Sequence, residues 1–432
     1  MRERTLKLSL IDAFLCSLMV GAGETYLPAY ALSIGMGEIF AGILSTLPIV
    51  SGAFLQLITP RGLQRVQSHK NWVVASTALQ ALTFLPLIYF SATRAPNFWM
   101  LFLILTLYWG SGFAAGPAWN FWMGRLVQVE EGNRYFAKRA RISQLGILLG
   151  LIGGGVALHN KVELGPFSSV FTMLFVFAGG CRLISSLILS SQHFDPLWSR
   201  REDRLGLRAS WKVFWSNAPK RKFFFYLAPF QAAVFISSPF VTPYLIAQVK
   251  MDYGTYMTAI GILFVGKILA LMLIDKFRGS TSGFNLLIFG AGAIVPMPAL
   301  WAVSAEPAFL FVVQFVSGLA WAFVEVGLSL IFFKDLKQEE KVPVLTVYNL
   351  LNSIAIIAGT YVGGKLLWFF GEKITSYYVM FIMGSVARAL GFVPLYGFVK
   401  SQLFAASLNH ANAPSTEVVS ATSPNPQPGK AS

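Results

Sequence analysis

Twelve long apolar runs, separated by short polar segments, set the pattern of the sequence. A helix needs roughly 20 mostly apolar residues to cross a bilayer, and each run is close to that length. Several runs contain Gly and Pro, which membrane helices tolerate. The pattern predicts twelve transmembrane helices, numbered span 1 to span 12, at 8–31, 38–58, 71–92, 97–121, 142–159, 167–190, 223–246, 255–275, 283–304, 307–333, 344–367 and 375–399.

The segments outside the runs divide the chain. The longest loop, 191–222, separates six spans from six, so we expect one six-span half at 1–190 and a second at 223–400. Within this loop, residues 209–218 mix Trp and Phe with Lys, which predicts a short helix at the membrane surface; a plain linker is the alternative. Residues 401–432 are rich in Ala, Ser, Asn and Pro without an apolar period, a composition typical of a disordered tail.

The composition indicates a surface that faces lipid. The chain is 55% hydrophobic and only 12% charged, about half the charged fraction of a typical soluble protein. Of its 34 Lys and Arg, 26 lie in segments on the side of the membrane that holds both termini. Four lie on the other side, and the remaining four lie within the spans. Basic residues accumulate on the cytoplasmic side, so both termini are expected there. The net charge of +15 then reflects anchoring against anionic lipid, and no nucleic-acid partner is expected.

The two halves carry similar segments in the same order, which indicates an internal duplication. Residues 26–44 align with residues 241–263, and Gly-Ile-Leu recurs at the end of both. Further matches share an offset of 206 positions: Ser111 with Ser317, Gly112 with Gly318, and Arg182 with Arg388. Two parallel six-span halves place a cavity between them near the middle of the membrane.

Two loops resemble those of the major facilitator superfamily, a family of secondary transporters, and the resemblance covers roughly residues 5–400. The loop DKFRGS matches in part the family's acidic-basic gating loop, so Asp275, Lys276 and Arg278 are candidate gating residues. The first-half counterpart, TPRGLQR, lacks the Asp. The loop 119–142 is similar to that of bacterial members of unassigned substrate.

The resemblance implies an all-α integral membrane protein in which two pseudo-symmetric six-span halves surround a central cavity. It also implies a monomer in the bacterial inner membrane that carries a small solute by alternating access. Spans 1, 4, 7 and 10, with spans 2, 5, 8 and 11, are expected around the cavity, and spans 6 and 12 as outer supports. Span 5 contains GILLGLIGGG at 146–155, similar to the glycine-rich helix of the family's antiporters but without their Gly-Pro. Close packing of helices through small residues is the alternative reading.

Three ionisable residues within the spans have no charged counterpart in the other half: Glu24, Lys267 and Glu325. A charged side chain inside a bilayer costs roughly 2.5–3.5 kcal/mol on insertion scales, so these residues are candidates for binding the solute or the coupling ion. A carboxylate whose surroundings alternate between wet and dry would bind and release a proton in each cycle, so H+ is the expected coupling ion. Sodium coupling and uniport are alternatives, as is a structural ion pair between Glu24 and Lys267.

Four neutral polar residues on the cavity-type spans are further candidates for contact with the solute: Tyr26, Gln231, Asn349 and Asn352. Asn349 and Asn352 are three residues apart and share a helix face.

Other charged residues in or near the spans have a structural interpretation. Arg182 and Arg388 recur in both halves, so they are expected to support the shared scaffold, either by hydrogen bonds to carbonyl groups or by reaching toward the interface. Asp12 and Lys365 lie near span ends and are expected to reach water.

Motifs for enzyme chemistry are missing from the sequence. The four His lie in loops, span ends or the tail, and no zinc-protease motif, nucleotide loop or Ser/His/Asp set occurs. Cys16 and Cys181 lie in apolar runs and are expected to be packing residues. We therefore expect a transporter with no enzymatic activity, no metal and no cofactor. The alternatives are a transporter-like accessory protein that assembles or delivers something within the membrane and, more remotely, an intramembrane enzyme.

The charge distribution makes topology testable. Reporter fusions at Arg94, Lys161 and Lys250 are expected to read periplasmic, and fusions within 200–212 cytoplasmic, because basic segments stay on the cytoplasmic side. A dual reporter, with one enzyme active on each side of the membrane, measures this. A cytoplasmic signal at Lys161 would contradict the twelve-span topology.

Overall fold

The computed structural model is helical, with no strand in the residues it describes, which are 2–55, 59–93, 97–127, 129–161, 169–194, 207–216, 218–276, 282–334 and 338–411. Within them, 12 helical segments are long and apolar enough to cross a membrane, which confirms the predicted number. Spans 1 to 12 are Arg2–Ser33, Glu38–Leu55, His69–Thr93, Phe98–Leu126, Lys138–His159, Val170–Ser191, Arg221–Gln248, Tyr253–Ile274, Gly283–Leu300, Pro307–Ile331, Val347–Phe370 and Ile374–Ser401. A shorter helix, Thr59–Val66, lies between spans 2 and 3.

The predicted tail and the central loop also contain helix. The last helix runs over Ile374–Ala411, so the expectation of a disordered tail is wrong for 401–411. This stretch is rich in Ala and Leu and has no Gly or Pro to end the preceding helix; residues 412–432 lie outside the described residues. In the central loop, a helix at Leu207–Ser216 lies close to the predicted 209–218, and its position at the membrane surface stays a prediction.

Spans 1 and 7 are interrupted at similar places in the two halves. In span 1 the α-helix ends at Ala22, a 3-10 turn follows at Glu24–Tyr26, and an α-helix resumes at Leu27. In span 7 the corresponding 3-10 turn is Ser238–Phe240. The interruption places Glu24 on an irregular turn inside the membrane.

The local sequence explains both interruptions. Pro28 and Pro239 have no N–H, so neither can continue the helical hydrogen-bond ladder through the turn. The Thr25 hydroxyl donates to the carbonyl of Val20 at 3.0 Å, and the Ser238 hydroxyl likewise donates to a carbonyl one turn back at 2.8 Å. These side chains satisfy carbonyl groups beside the turns, as irregular backbone in a membrane requires.

Glycines bring spans 1 and 5 into backbone contact. A Cβ on Gly150 would lie 2.6 Å from the carbonyl oxygen of Leu18, and one on Gly21 would overlap the carbonyl oxygen of Ile147. Only residues without a side chain allow two helices to approach this closely. The close packing expected as one reading of the segment 146–155 is therefore confirmed.

The two halves contact each other in the half of the membrane opposite the termini, called here the far side. Gln248 Nε2 donates to Glu38 Oε1 at 2.6 Å. The carboxylate of Glu372 accepts the backbone N–H of Glu38 at 3.3 Å and that of Ile39 at 3.2 Å. Among the described residues, the hydrogen bonds and ion pairs found between the halves lie on the far side, except for the bond between Thr360 and Thr46 near the middle of the membrane.

The glycine contacts predict an asymmetry between two neighbouring positions. Gly150→Ala is expected to lower the free energy of unfolding by about 1–3 kcal/mol, because the added methyl group overlaps backbone atoms of span 1. Gly153 has nothing within 4 Å of a Cβ position, so Gly153→Ala is the matched control and is expected to be neutral or slightly stabilising. Thermal unfolding of the purified variants in detergent measures both, and equal melting temperatures for the two would contradict the packing.

Candidate functional site

Glu24 is held on the turn of span 1 by a tyrosine of span 4. The Tyr108 hydroxyl donates to Glu24 Oε2 at 2.7 Å, and Tyr108 is buried with an edge-on contact to Phe84. Glu24 itself is partly buried. Among the described residues, no cation forms an ion pair with this carboxylate. Glu24 therefore lies in the membrane with a neutral hydrogen-bond partner.

Lys267 and Glu325 form an ion pair between spans 8 and 10. Lys267 Nζ lies 2.6 Å from Glu325 Oε1, and the side chains are 17% and 52% exposed, respectively. A half-exposed carboxylate at this depth is far more stable beside water than beside lipid chains. The pair therefore marks a polar, accessible surface of the second half.

The pairing of Glu24 with Lys267, one alternative from the sequence, is wrong in this conformation. Lys267 is bonded to Glu325 and Glu24 to Tyr108. Spans 1 and 8 belong to different halves and approach each other on the far side, where the rings of Tyr26 and Tyr256 lie 6.4 Å apart. Lys267 lies eleven residues beyond Tyr256, about 16 Å along span 8 toward the side of the termini, and so it pairs within its own half.

A second polar network crosses the first half. Asp12 Oδ2 pairs with Arg139 at 3.3 Å, and Asp12 Oδ1 accepts the Ser185 hydroxyl at 2.7 Å. Arg182 donates to Ser185 at 3.0 Å and to Gln80 Oε1 at 2.7 Å. The network joins spans 1, 3, 5 and 6.

The expectation that Asp12 reaches water is wrong, because Asp12 is only 3% exposed. Span 1 begins at Arg2, so Asp12 lies about 15 Å along the helix. A carboxylate at that depth is retained because it is paired and hydrogen-bonded. Lys365 is exposed, and its Nζ lies over the ring of Trp368 at 4.5 Å.

The two repeat-related arginines are both buried, yet their partners differ. Arg388 donates to the carbonyl groups of Ile294 at 2.9 Å and Val234 at 3.1 Å, and to the Ser237 hydroxyl at 3.0 Å. Arg182 donates only to side chains in the described part of the chain. Arg182 bonds from span 6 to span 3, and Arg388 bonds from span 12 to span 9. A scaffold role for the two arginines stays a prediction.

The neutral candidates are not gathered in one place. Tyr26 is fully buried and donates to the carbonyl of Leu151 at 2.6 Å, so it joins spans 1 and 5. Gln231 is buried beside Tyr348. Both line, with Asn352, a cavity of about 10 Å³, close to the space one water needs.

Asn352 and Asn349 differ in exposure. The Asn352 Oδ1 atom is buried with no hydrogen-bond partner in the described residues, which fits a water in that small cavity. Asn349 is exposed. Of the candidate gating residues, Asp275 and Lys276 end the helix Tyr253–Lys276, and Arg278 lies outside the described residues.

The far-side contacts were missed by sequence reasoning. His159 Nδ1 lies 3.1 Å from Asp252 Oδ1, across the two halves. The hydrogen bond from the Thr255 hydroxyl holds the pKa of Asp252 below its usual range. These residues lie at span ends, where a polar residue ordinarily meets water, so no local signal marks them as contacts.

The described residues contain no group of three or more His, Cys, Asp or Glu that could hold a metal ion. Cys16 and Cys181 are free cysteines. The polar chemistry of the spans therefore consists of carboxylates, amides, hydroxyls and basic side chains.

Comparison with known proteins identifies the fold. The sequence profile of the Major Facilitator Superfamily matches residues 11–360. No curated protein matches the chain in sequence. Among solved structures, a mutant of the nucleoside transporter NupG superposes with a TM-score of 0.74 at 14% identity, covering 91% of this chain and 99% of that chain.

Two further structures are similar. A bacterial homologue of the human lysosomal transporter Spinster, in an inward-facing and unoccupied conformation, gives a TM-score of 0.66 at 13% identity over 92% of this chain and 98% of that chain. The transporter FucP, in an outward conformation, gives 0.63 at 14% identity over 91% of this chain and 98% of that chain. At these identities the likeness establishes the fold alone.

The unequal exposure of the ion pair predicts unequal effects of its two members. Glu325→Gln leaves the more buried Lys267 without a counter-charge, and we expect a loss of about 1–3 kcal/mol in the free energy of unfolding. Lys267→Met leaves a carboxylate that water can reach, with an expected loss of about 1 kcal/mol or less. The double variant is expected to lose less than the two single losses combined, as measured by unfolding of the purified variants; additive losses would contradict a coupled pair.

Proposed function

Because the chain belongs to the Major Facilitator Superfamily, we propose that it is a proton-coupled secondary transporter of a small solute, working by alternating access in the bacterial inner membrane. Family membership supports the transporter class. The single observation that carries the coupling proposal is the carboxylate of Glu24, which lies inside span 1 with Tyr108 as its hydrogen-bond partner.

The interrupted spans support transport by alternating access. Discontinuous helices line the binding site in many transporters, where the exposed backbone and nearby polar groups contact solute and ion. Here the turns at Glu24–Tyr26 and Ser238–Phe240 occupy similar places in the two halves. Most hydrogen bonds found between the described parts of the halves lie on the far side, so this conformation is interpreted as one closed there and accessible from the side of the termini.

The charge distribution supports the orientation. With the basic segments in the cytoplasm, both termini are cytoplasmic and the far side is periplasmic. The present conformation is then the inward-facing one. The protein is proposed to act as a monomer, because each chain contains both halves of the transport unit.

Tyr108 makes Glu24 a suitable proton site. A phenol hydroxyl can donate to an ionised carboxylate or accept from a protonated one, so the pair keeps a hydrogen bond in both states. Water access on one side of the membrane favours the ionised form, and closure around the site favours the protonated form. Alternating access then moves a proton with each cycle.

The Lys267–Glu325 pair is proposed as the polar contact for the solute. The pair is accessible, and both side chains can exchange their mutual bond for bonds to a solute. Asn349, which is exposed on span 11, adds an amide. A polar solute with several hydrogen-bonding groups fits this chemistry, and nucleosides, the named solute of NupG, are the first class to test.

The solute must be found before coupling is measured. A thermal-shift screen of the purified protein against nucleosides, other metabolites and drugs identifies it, because a ligand that binds only the folded state raises the melting temperature. The highest-ranking compound is then used in proteoliposomes.

Glu24→Gln separates coupling from transport. In proteoliposomes with an imposed pH gradient, we expect Glu24→Gln to abolish accumulation of the solute while exchange of labelled for unlabelled solute persists, because glutamine keeps the shape but cannot release a proton. The matched control is Glu306→Gln at the exposed start of span 10, which is expected to accumulate solute as the wild type does.

The same assay also shows which outcomes would refute proton coupling at Glu24. Full gradient-driven accumulation by Glu24→Gln would refute proton coupling at this residue, and Glu325→Gln is then tested in the same way. If neither change alters accumulation, sodium coupling or uniport replaces the proposal. Absence of any uptake or exchange by the wild type, with a ligand known to bind, would contradict transport itself.

A further inference from the structure

One contact between the halves contains a histidine. His159 ends span 5 of the first half, and its Nδ1 lies 3.1 Å from Oδ1 of Asp252, which precedes span 8 of the second half. Both side chains are 57% exposed, so water and protons on the far side reach them. Histidine is the side chain that ordinarily gains a proton between about pH 5 and pH 8. The strength of this contact therefore depends on the pH of the far side.

Asp252 is fixed to the second half by the start of span 8. Its Oδ1 accepts the backbone N–H of Gly254 at 2.8 Å and that of Thr255 at 3.2 Å, and its Oδ2 accepts the Thr255 hydroxyl at 2.6 Å. These hydrogen bonds lower the pKa of Asp252, and the bond from the Thr255 hydroxyl is the largest cause. Asp252 therefore stays ionised through the range in which histidine titrates.

A glycine gives the imidazole access to this carboxylate. A Cβ on Gly254 would lie 2.7 Å from His159 Nδ1 and 3.0 Å from Asp252 Oδ1. A side chain at this position would push the imidazole away from the carboxylate. The second residue of span 8 thus leaves the space that His159 occupies.

The other titratable groups described on the segments that meet here are phenols and amines. Phenols stay neutral and amines stay protonated between about pH 5 and pH 8, so their charge does not follow the pH. Glu24 lies deeper, about 13 Å along the helix from the far-side end of span 1, and the experiment below removes its titration. The phenols and amines are Tyr26 and Tyr30 of span 1, Tyr253 and Tyr256 of span 8, and Lys161 and Lys250 in the adjoining loops.

Opening of the far side would separate His159 from Asp252, because the two residues belong to different halves. In the closed conformation the carboxylate stabilises the imidazolium by direct contact, and in the open conformation it does not. The closed conformation therefore binds the proton more tightly, and by linkage the proton favours closure. The neutral imidazole keeps at most a hydrogen bond, in the tautomer that carries its proton on Nδ1.

We propose that His159 is a second proton-binding residue, one that closes the far side when that side becomes acidic. The inference rests on the proposed function, because it assumes that the halves separate on the far side during transport. With the far side in the periplasm, acid there favours the inward-facing conformation, from which a proton bound at Glu24 is released to the cytoplasm. The pH gradient that drives transport then also favours the conformational step that delivers the proton.

The test measures the distance between the halves on the far side and needs no solute. Spin labels are attached to cysteines that replace Ser33 at the end of span 1 and Ala308 near the start of span 10, both exposed, in a chain that also carries Cys16→Ala and Cys181→Ala. Double electron–electron resonance of the purified full-length protein separates a short distance, for the closed far side, from a long one. The ratio of short to long distances is compared at about pH 5.5 and about pH 8, with and without Glu24→Gln.

Acid is expected to raise this ratio about two- to five-fold in the presence of Glu24→Gln, the effect of one exposed ion pair. Adding His159→Gln removes the titrating group and is expected to abolish the rise. Asp252→Asn is expected to do the same, because asparagine caps a helix as well as aspartate does but carries no charge. His159→Lys carries its charge at both pH values, so its ratio is expected to be high at both.

Two further variants control for the site and for its shape. His193 is an exposed histidine on the side of the termini whose hydrogen bonds in the described structure are made by its backbone, so His193→Gln is the matched control and is expected to keep the full rise. Gly254→Ala changes no charge but moves the imidazole away from the carboxylate, and it is expected to weaken the rise.

The outcomes separate this inference from the function it rests on. No rise in acid, or a rise that persists in both His159→Gln and Asp252→Asn, would refute the role of His159 and leave proton coupling at Glu24 to its own assay. An equal loss of the rise in His193→Gln would refute it as well. A single distance under all conditions, unchanged by the solute found in the thermal-shift screen, would contradict opening of the far side and with it both the inference and alternating access.

Discussion

A charge buried in a membrane must be compensated, and this constraint organises the polar interior of both halves. In the first half, Asp12 binds Arg139 directly and Arg182 through a serine. In the second half, Lys267 and Glu325 compensate each other, and Arg388 is stabilised by carbonyl groups. Glu24 is the exception, because its hydrogen-bond partner is a neutral tyrosine. A partly buried carboxylate whose hydrogen-bond partner is neutral is suited to gain and lose a proton.

The backbone of span 1 provides the turn on which a carboxylate can gain and lose a proton inside the membrane. The turn at Glu24–Tyr26 ends the regular ladder of span 1, and Pro28 keeps the ladder from re-forming through it. On one side, glycines let span 5 contact span 1 along its backbone. On the other, Gly23 lets the turn lie against span 6. The irregular turn is thus enclosed by protein, the condition under which broken helices are stable at membrane depth.

Much of the architecture could be predicted from the sequence because its causes are local. The length of an apolar run reports a membrane span wherever it occurs, so the run 375–399 and the span Ile374–Ser401 nearly coincide. The helix Leu207–Ser216 of the central loop is likewise predicted locally, from the mixture of Trp, Phe and Lys in this stretch. The composition of 401–411 is that of a tail, yet this stretch continues the helix Ile374–Ala411, because Ala and Leu favour helix and no Gly or Pro ends it.

The partners of the charged residues could not be predicted in the same way. Glu24 and Tyr108 are 84 residues apart and Lys267 and Glu325 are 58 apart, and no local pattern specifies which distant side chains meet. The nearness of Asp12 to a span end predicts contact with water, yet its partners come from spans 5 and 6. The repeat indicated that Arg182 and Arg388 are equivalent in position, but not that one lies among charges and the other among carbonyls.

In the proposed cycle, Glu24 carries the proton whose movement is coupled to that of the solute. The most direct measurement uses proteoliposomes loaded with a pH-sensitive dye, with equal pH on both sides, to which an outside pulse of the identified solute is added. We expect that the solute alone drives a change of internal pH in the wild type, and that Glu24→Gln exchanges the solute with no such change. Solute entry into wild-type vesicles without any movement of protons would contradict it.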